Sequence, residues 1–207
     1  SLFTELKPNR DIRAIVISGA GGIFCAGGDI KEMRANTVPS IESGSNLDKM
    51  LSAINNASQV VIAKVEGAAL GGGLGIICVS DIAIASTSTK FGLPEVRLGI
   101  APAFISPYVL ERIGMTRTRE LMLTGRHING EEALTYGLIH QIAEPKDLEL
   151  RIYDMLRAIQ FCAPEAIAAT KELIFTVNNQ PMDSTVEYRA NLLNRLRKSE
   201  EGQEGML

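Results

Sequence analysis

Val60-Val61-Ile62-Ala63-Lys64-Val65-Glu66-Gly67-Ala68-Ala69-Leu70-Gly71-Gly72-Gly73-Leu74-Gly75 is the stretch on which the fold turns. Its first six residues are a short apolar, β-branched run that stops at a glycine, the pattern of a strand buried on both faces of a sheet. The segment Leu74 to Val79 that follows the glycines is apolar, and it predicts a short buried helix. Working outward, Ile12 to Ser18 is a second such run, ending in Gly19-Ala20-Gly21-Gly22, and Asp81 to Ser86 is a third, running into Thr87-Ser88-Thr89-Lys90. Between the first two strands, Ile41, Leu47, Met50, Leu51 and Ile54 recur at helical spacing, so residues 40–58 are expected to be a helix. The order β, α, β, α, β predicts an α/β layer with crossover connections.

Downstream, Pro102 precedes a helical pattern through Phe104, Tyr108, Val109 and Ile113, and Thr116 to Leu123 reads as another helix closed by Gly125. Asn129 opens a short helix that stops at Gly137, and Leu138 to Ile142 has the look of an edge strand. From residue 146 the pattern is helical only: 146–161, 164–178 and 181–198, with Pro164 and Pro181 suited to helix starts. The polar end, Ser199 to Leu207, is expected to fray. The chain thus divides into an α/β core over 1–145 and a helical region over 146–207.

Composition narrows the function classes. With 207 residues, 45% hydrophobic, 22% charged and a net charge of −3, the chain is an ordinary soluble globular protein. Its 21 basic residues are scattered, which gives no footprint for a nucleic-acid backbone. Cys25, Cys78 and Cys162 form no CxxC pair, so neither a disulfide framework nor a metal site is expected, and a reducing, cytoplasmic setting follows. Lys64, Glu66 and Asp81 interrupt the apolar stretches well before a membrane span is reached. Ser1 to Lys7 lacks the cationic-then-apolar form of a signal peptide.

Three segments carry chemistry. Gly67-Ala68-Ala69-Leu70-Gly71-Gly72-Gly73-Leu74-Gly75 places glycines where a strand hands over to a helix, exposing backbone N–H groups at the positive end of the helix dipole. An anion hole and close helix–strand packing both account for it. A phosphate loop does not, because no Lys-Ser/Thr follows, and Gly19-Ala20-Gly21-Gly22-Ile23-Phe24 is not a dinucleotide fingerprint. Phe24-Cys25-Ala26-Gly27-Gly28-Asp29-Ile30-Lys31-Glu32-Met33 offers a second set of backbone donors, with Asp29 placed to cap a helix. Phe91-Gly92-Leu93-Pro94-Glu95 sets a carboxylate beside an apolar turn, where desolvation would raise its pKa. His127 and His140 lie in no hydrolase or zinc context and are expected to be structural. Cys25 is read as a small buried filler.

In this order and spacing, the three segments resemble the enoyl-CoA hydratase/isomerase (crotonase) family, with its AGxDxxEM, GxALGGGxE and FGxPE patterns. The resemblance spans nearly the whole chain. It implies a crotonase-like spiral of ββα repeats with a C-terminal helical trimerisation region, and a homotrimer or dimer of trimers. It implies an acyl-CoA thioester as substrate, with coenzyme A part of that substrate and no separate cofactor or metal. The family's two oxyanion-hole amides fall on Gly28 and Gly72, its CoA contacts on Ala26, Gly28, Ile30 and Gly72, and its acid/base glutamate on Glu95. A second family glutamate would stand where this chain has Gly75. Hydration of a 2-enoyl-CoA is expected, with Glu95 doing both jobs in turn or another group in place of the missing partner. The alternatives are double-bond isomerisation by the same glutamate and a non-catalytic acyl-CoA-binding subunit. Residues 97–108 are similar to bacterial members that hydrate branched glutaconyl-CoA thioesters, with Arg97 or Ser106 as candidates to meet a distal carboxylate. The resemblance further implies that strands opening the family's fold are missing ahead of Ser1.

Overall fold

The computed structural model describes residues 2–28 and 41–207. The helix expected to begin at Asp29 lies outside these residues. The chain opens with α1 (Leu2–Leu6) and β1 (Ala14–Ser18), and continues through α2 (Ile41–Asn55), β2 (Val60–Val65), β3 (Ala68–Leu70), α3 (Gly72–Val79), β4 (Ile82–Ser86) and β5 (Lys90–Gly92). Then come α4 (Ser106–Thr124), β6 (His127–Ile128), α5 (Gly130–Thr135), β7 (Gln141–Ala143), α6 (Leu148–Gln160), α7 (Pro164–Asn178), α8 (Val186–Lys198) and α9 (Glu200–Glu204).

The apolar runs form one parallel sheet in the order β1-β2-β4-β7. Val61, Ile62, Ala63 and Val65 are all fully buried, which is why β2 lacks the alternation of a half-exposed strand. On one side Val61, Ala63 and Val65 join Leu51, Leu74, Ile77, Phe91 and Leu121 in the main core. On the other, Ile62 and Ile84 meet Leu148, Ile152 and Ile159 of α6.

A second, smaller sheet, β3-β5-β6, has β3 and β5 parallel and β5 and β6 antiparallel. Cys25 extends it by a parallel bridge to Ala69. The chain therefore winds as a spiral in which each turn gives one piece to each sheet: β1 then Cys25, β2 then β3, β4 then β5. Gly67, at φ +65°, makes the corner between β2 and β3, and a Cβ there would overlap the carbonyl of Gly22 in the preceding corner. Stacked corners at van der Waals distance explain why glycine stands at this turn.

Several boundaries differ from the sequence reading. The two helices expected at 104–113 and 116–123 are one run, α4, broken at Gly114, whose φ of 68° and ψ of 171° only glycine adopts easily. The edge strand begins at Gln141, because Leu138 and Ile139 are taken into the core. Pro181 precedes a 3-10 turn, Met182–Thr185, that leads into α8. Instead of fraying, residues 200–204 form α9, whose Gly202 N–H donates to Ser199 Oγ at 3.1 Å.

The helical region is fastened to the sheet by an ion pair. Lys171 of α7, 9% exposed, donates through Nζ to Asp81 Oδ2 at 2.7 Å and to the Gln59 carbonyl at 2.8 Å. The same Asp81 oxygen accepts from the Val61 N–H at 2.6 Å. Lys171→Met leaves that carboxylate without its cation. The expected loss of stability is roughly 2–4 kcal/mol, below that of a fully enclosed pair because Asp81 keeps some water. Urea unfolding reads it, and an unchanged midpoint would show that the pair carries no net stability.

Candidate active site

The smaller sheet brings the three chemistry-bearing segments to one place. Cys25 lies beside Ala69, and Ala69 beside Phe91, in three parallel segments held in one register. Three residues on from Cys25 and Ala69 come Gly28 and Gly72, and four on from Phe91 comes Glu95. Parallel strands deliver the residues after them to the same edge, the carboxyl ends where α/β folds hold ligands. Leu70 N–H donates to the Cys25 carbonyl at 2.9 Å, and Gly71 N–H to the Gly92 carbonyl at 3.0 Å, which ties the three loops together.

Gly71 is the meeting point. At φ +52°, a Cβ on it would stand 3.0 Å from Glu95 Oε1 and 3.9 Å from Gly27 Cα. Gly27 itself, at φ +98°, lies against the Leu70 carbonyl. Gly72 is the first residue of α3, and the N–H groups of Leu74 and Gly75 bond back to the Gly71 carbonyl at 3.0 and 3.2 Å. The Gly72 N–H thus precedes the first bond of the helix, one of the donors a helix N-terminus leaves free. A Cβ on Gly72 would meet nothing within 4 Å, so the backbone there faces open space. Gly28 is exposed and follows Gly27 directly; Ala26 is exposed on the same loop. Ile30 lies outside the described residues.

Glu95 sits in the 3-10 turn Pro94–Leu98, closed by Gly99 at φ +74° and by Ile100 N–H donating to the Glu95 carbonyl at 3.1 Å. Its Oε2 is buried without a hydrogen-bond partner among the described residues. Burial pushes the carboxyl above its ordinary value near 4.5, against a smaller pull downward from its own backbone N–H. A buried acceptor left unpaired costs on the order of 1–3 kcal/mol.

The glycine run has two separate jobs. Gly71 keeps the backbone open beside Glu95 and Gly72 faces open space, whereas Gly73 and Gly75 are packing positions. A Cβ on Gly73 would be 2.6 Å from Cys25 Cβ, which makes Cys25 the filler under α3. A Cβ on Gly75 would be 2.5 Å from Ile105 Cγ2 and 3.8 Å from Leu51 Cδ1. No side chain fits at Gly75 without displacing Ile105. Sequence reasoning missed Ile105 and Leu51 here, since nothing local marks two apolar residues as neighbours of a distant glycine.

The other candidates are engaged elsewhere. Arg97 donates through Nε to the Thr124 carbonyl at 3.4 Å, beside Gly125, and Ser106 Oγ donates to the Ala103 carbonyl at 2.9 Å. His140 Nδ1 accepts from the Ala83 N–H at 3.0 Å, and burial lowers its pKa. The ring of His127 packs on Gly92. Among the described residues no group of three or more His, Cys, Asp or Glu stands ready to hold a metal ion, and no helix is long and apolar enough to cross a membrane.

Glycine loops from two segments and the Glu95 carboxyl thus come together at the ends of parallel strands of an α/β fold. The family model of enoyl-CoA hydratase/isomerase matches residues 1–207, and the chain belongs to that family, with its crotonase-like fold. The short-chain-enoyl-CoA hydratase of Clostridium acetobutylicum is 32% identical over 98% of this chain and 78% of its own length. A probable enoyl-CoA hydratase of Bacillus subtilis is also 32% identical, over 100% of this chain and 81% of its own. Among solved structures, Pseudomonas aeruginosa AtuE is 40% identical with a TM-score of 0.94, covering 99% of this chain and 81% of that one.

Proposed function

We propose that the protein adds water across the double bond of a 2-enoyl-CoA thioester, with Glu95 as its acid and base and the amides of Gly28 and Gly72 as its oxyanion hole. One observation carries this reading: the Glu95 carboxyl, its Oε2 buried without a partner among the described residues, stands against Gly71, where the glycine loop ending in Gly72 meets the loop of Gly27. Glu95 takes a proton from water as the water oxygen bonds to the β-carbon. The π electrons move toward the thioester oxygen, and the resulting enolate rests on the two N–H groups. Glu95 then returns its proton to the α-carbon, so that one water is consumed and the carboxylate is restored. A preorganised donor of this kind is worth about 3–4 kcal/mol in the transition state. Ala26 and Ile30 would contribute, with Gly28 and Gly72, to holding the CoA portion, and no cofactor besides the thioester itself takes part.

In the finer form of this proposal the acyl group is a branched glutaconyl chain, supported by the likeness of residues 97–108 to hydratases of such thioesters. The engagement of Arg97 and Ser106 leaves its distal carboxylate to other groups. The proposal extends to a trimeric assembly through the helical region, supported by Phe161, Ile174, Met182, Val186 and Leu193, which are 79, 57, 77, 55 and 58% exposed. Three free cysteines suit a cytoplasmic setting.

A second reading, double-bond isomerisation, is favoured by the filled corner at Gly75, because a single carboxylate moves a proton between carbons without ordering a water. Separate incubations with straight and branched 2-enoyl-CoA and 3-enoyl-CoA esters in ¹⁸O-water decide between the two. Hydration predicts a product one water heavier that carries the label. A product of unchanged mass formed only from the 3-enoyl ester would replace hydration by isomerisation. Binding without any turnover would leave an acyl-CoA-binding subunit.

A further inference from the structure

Gly72 and Gly75 lie three residues apart on α3 and share one face of it. At Gly72 that face opens on free space, and one turn further it ends on Ile105 and Leu51. Ile105 is 2% exposed and immobilised, with its carbonyl accepting from the Val109 N–H at 3.0 Å where α4 begins. The loop that carries it leaves directly from the Glu95 turn, through the Ile100 N–H to Glu95 carbonyl bond. One loop therefore supplies the carboxylate at its start and an apolar plug at its end.

We propose that Ile105 is a specificity-determining residue of this site. Its side chain takes the volume that any side chain at position 75 would need, and so closes that corner to a second proton-transfer group and to the water such a group would hold. The Gly75–Ile105 pair is a matched small-and-large pair that commits the chemistry to Glu95 alone. This rests on the proposed hydration, and it adds that the one-carboxylate character is enforced by packing and is reversible by compensated substitution.

Gly75→Glu alone overfills a dense core and is expected to lose most folded protein. The informative comparison is between Ile105→Gly and the double variant Gly75→Glu with Ile105→Gly, read by thermal midpoint and by hydration of unbranched four-carbon 2-enoyl-CoA. The double variant is expected to melt no lower than Ile105→Gly, because the new side chain fills the vacated volume. It is expected to hydrate this ester at least about tenfold faster than Ile105→Gly, the low end of what a positioned second acid or base contributes. A double variant as poorly folded as Gly75→Glu alone would show that the residues do not share one volume and would overturn the proposal. A stable double variant with no gain in hydration would overturn it as well, since the corner would then lie outside the reaction space. If the wild-type protein adds water to no enoyl ester, the hydration reading fails, and the recovery of folded Gly75→Glu protein by Ile105→Gly alone then decides whether Ile105 excludes a side chain at Gly75.

Discussion

Glu95→Gln is expected to lower kcat by about 10²–10⁴-fold while a saturated acyl-CoA binds nearly as before, because shape is kept and proton transfer is lost. The same substitution is expected to raise thermal stability at neutral pH. The sign follows from the environment: burial raises the Glu95 pKa in the folded state above its ordinary value near 4.5. Between those two values the folded protein binds more protons than the unfolded one, so its stability falls as pH rises. The contribution of Glu95 is complete below the unfolded pKa and is lost as pH climbs through the folded one. Glutamine never ionises and escapes that loss. The advantage of Glu95→Gln in melting temperature should therefore be present at pH 7 and vanish near pH 4. Unchanged turnover would remove Glu95 from the chemistry, and a variant less stable at pH 7 would show that the carboxylate is not strained by its surroundings.

Gly72→Pro has the second large effect. Proline suits the first position of a helix, where its missing N–H breaks no helical bond, and the space beside Gly72 is open. The fold should survive while the donor is deleted, with kcat falling by about 10²–10³-fold as for other single oxyanion donors. Gly72→Ala keeps the N–H and adds a methyl group into open space, so it should stay near wild type. The contrast separates amide from side chain. Equal losses in both variants, with circular dichroism unchanged, would mean that crowding rather than the donor matters.

Much of this site was legible in the sequence because its parts are local. A strand running into glycines and a helix, and an apolar turn ending in a carboxylate, are short-range patterns, and both stand where the spacing put them. The three-residue strands β3 and β5 were not legible, since they are too short for a period to register; yet their parallel pairing is what brings Gly71 to Glu95. The glycine run was ambiguous for a physical reason. Backbone exposure and close packing both ask for a residue without a side chain, and only the neighbours, Glu95 at Gly71 and Ile105 at Gly75, tell one from the other. Ile105 is a long-range partner that no local pattern marks.

The central claim is that two main-chain amides hold the thioester oxygen while one carboxylate works beside it. A crystal structure of Glu95→Gln with a 2-enoyl-CoA bound tests it most directly. The expected result is a thioester oxygen within about 3 Å of the amide nitrogens of both Gly28 and Gly72, with the side chain at position 95 over the α- and β-carbons. A thioester oxygen lodged away from either amide would contradict the account.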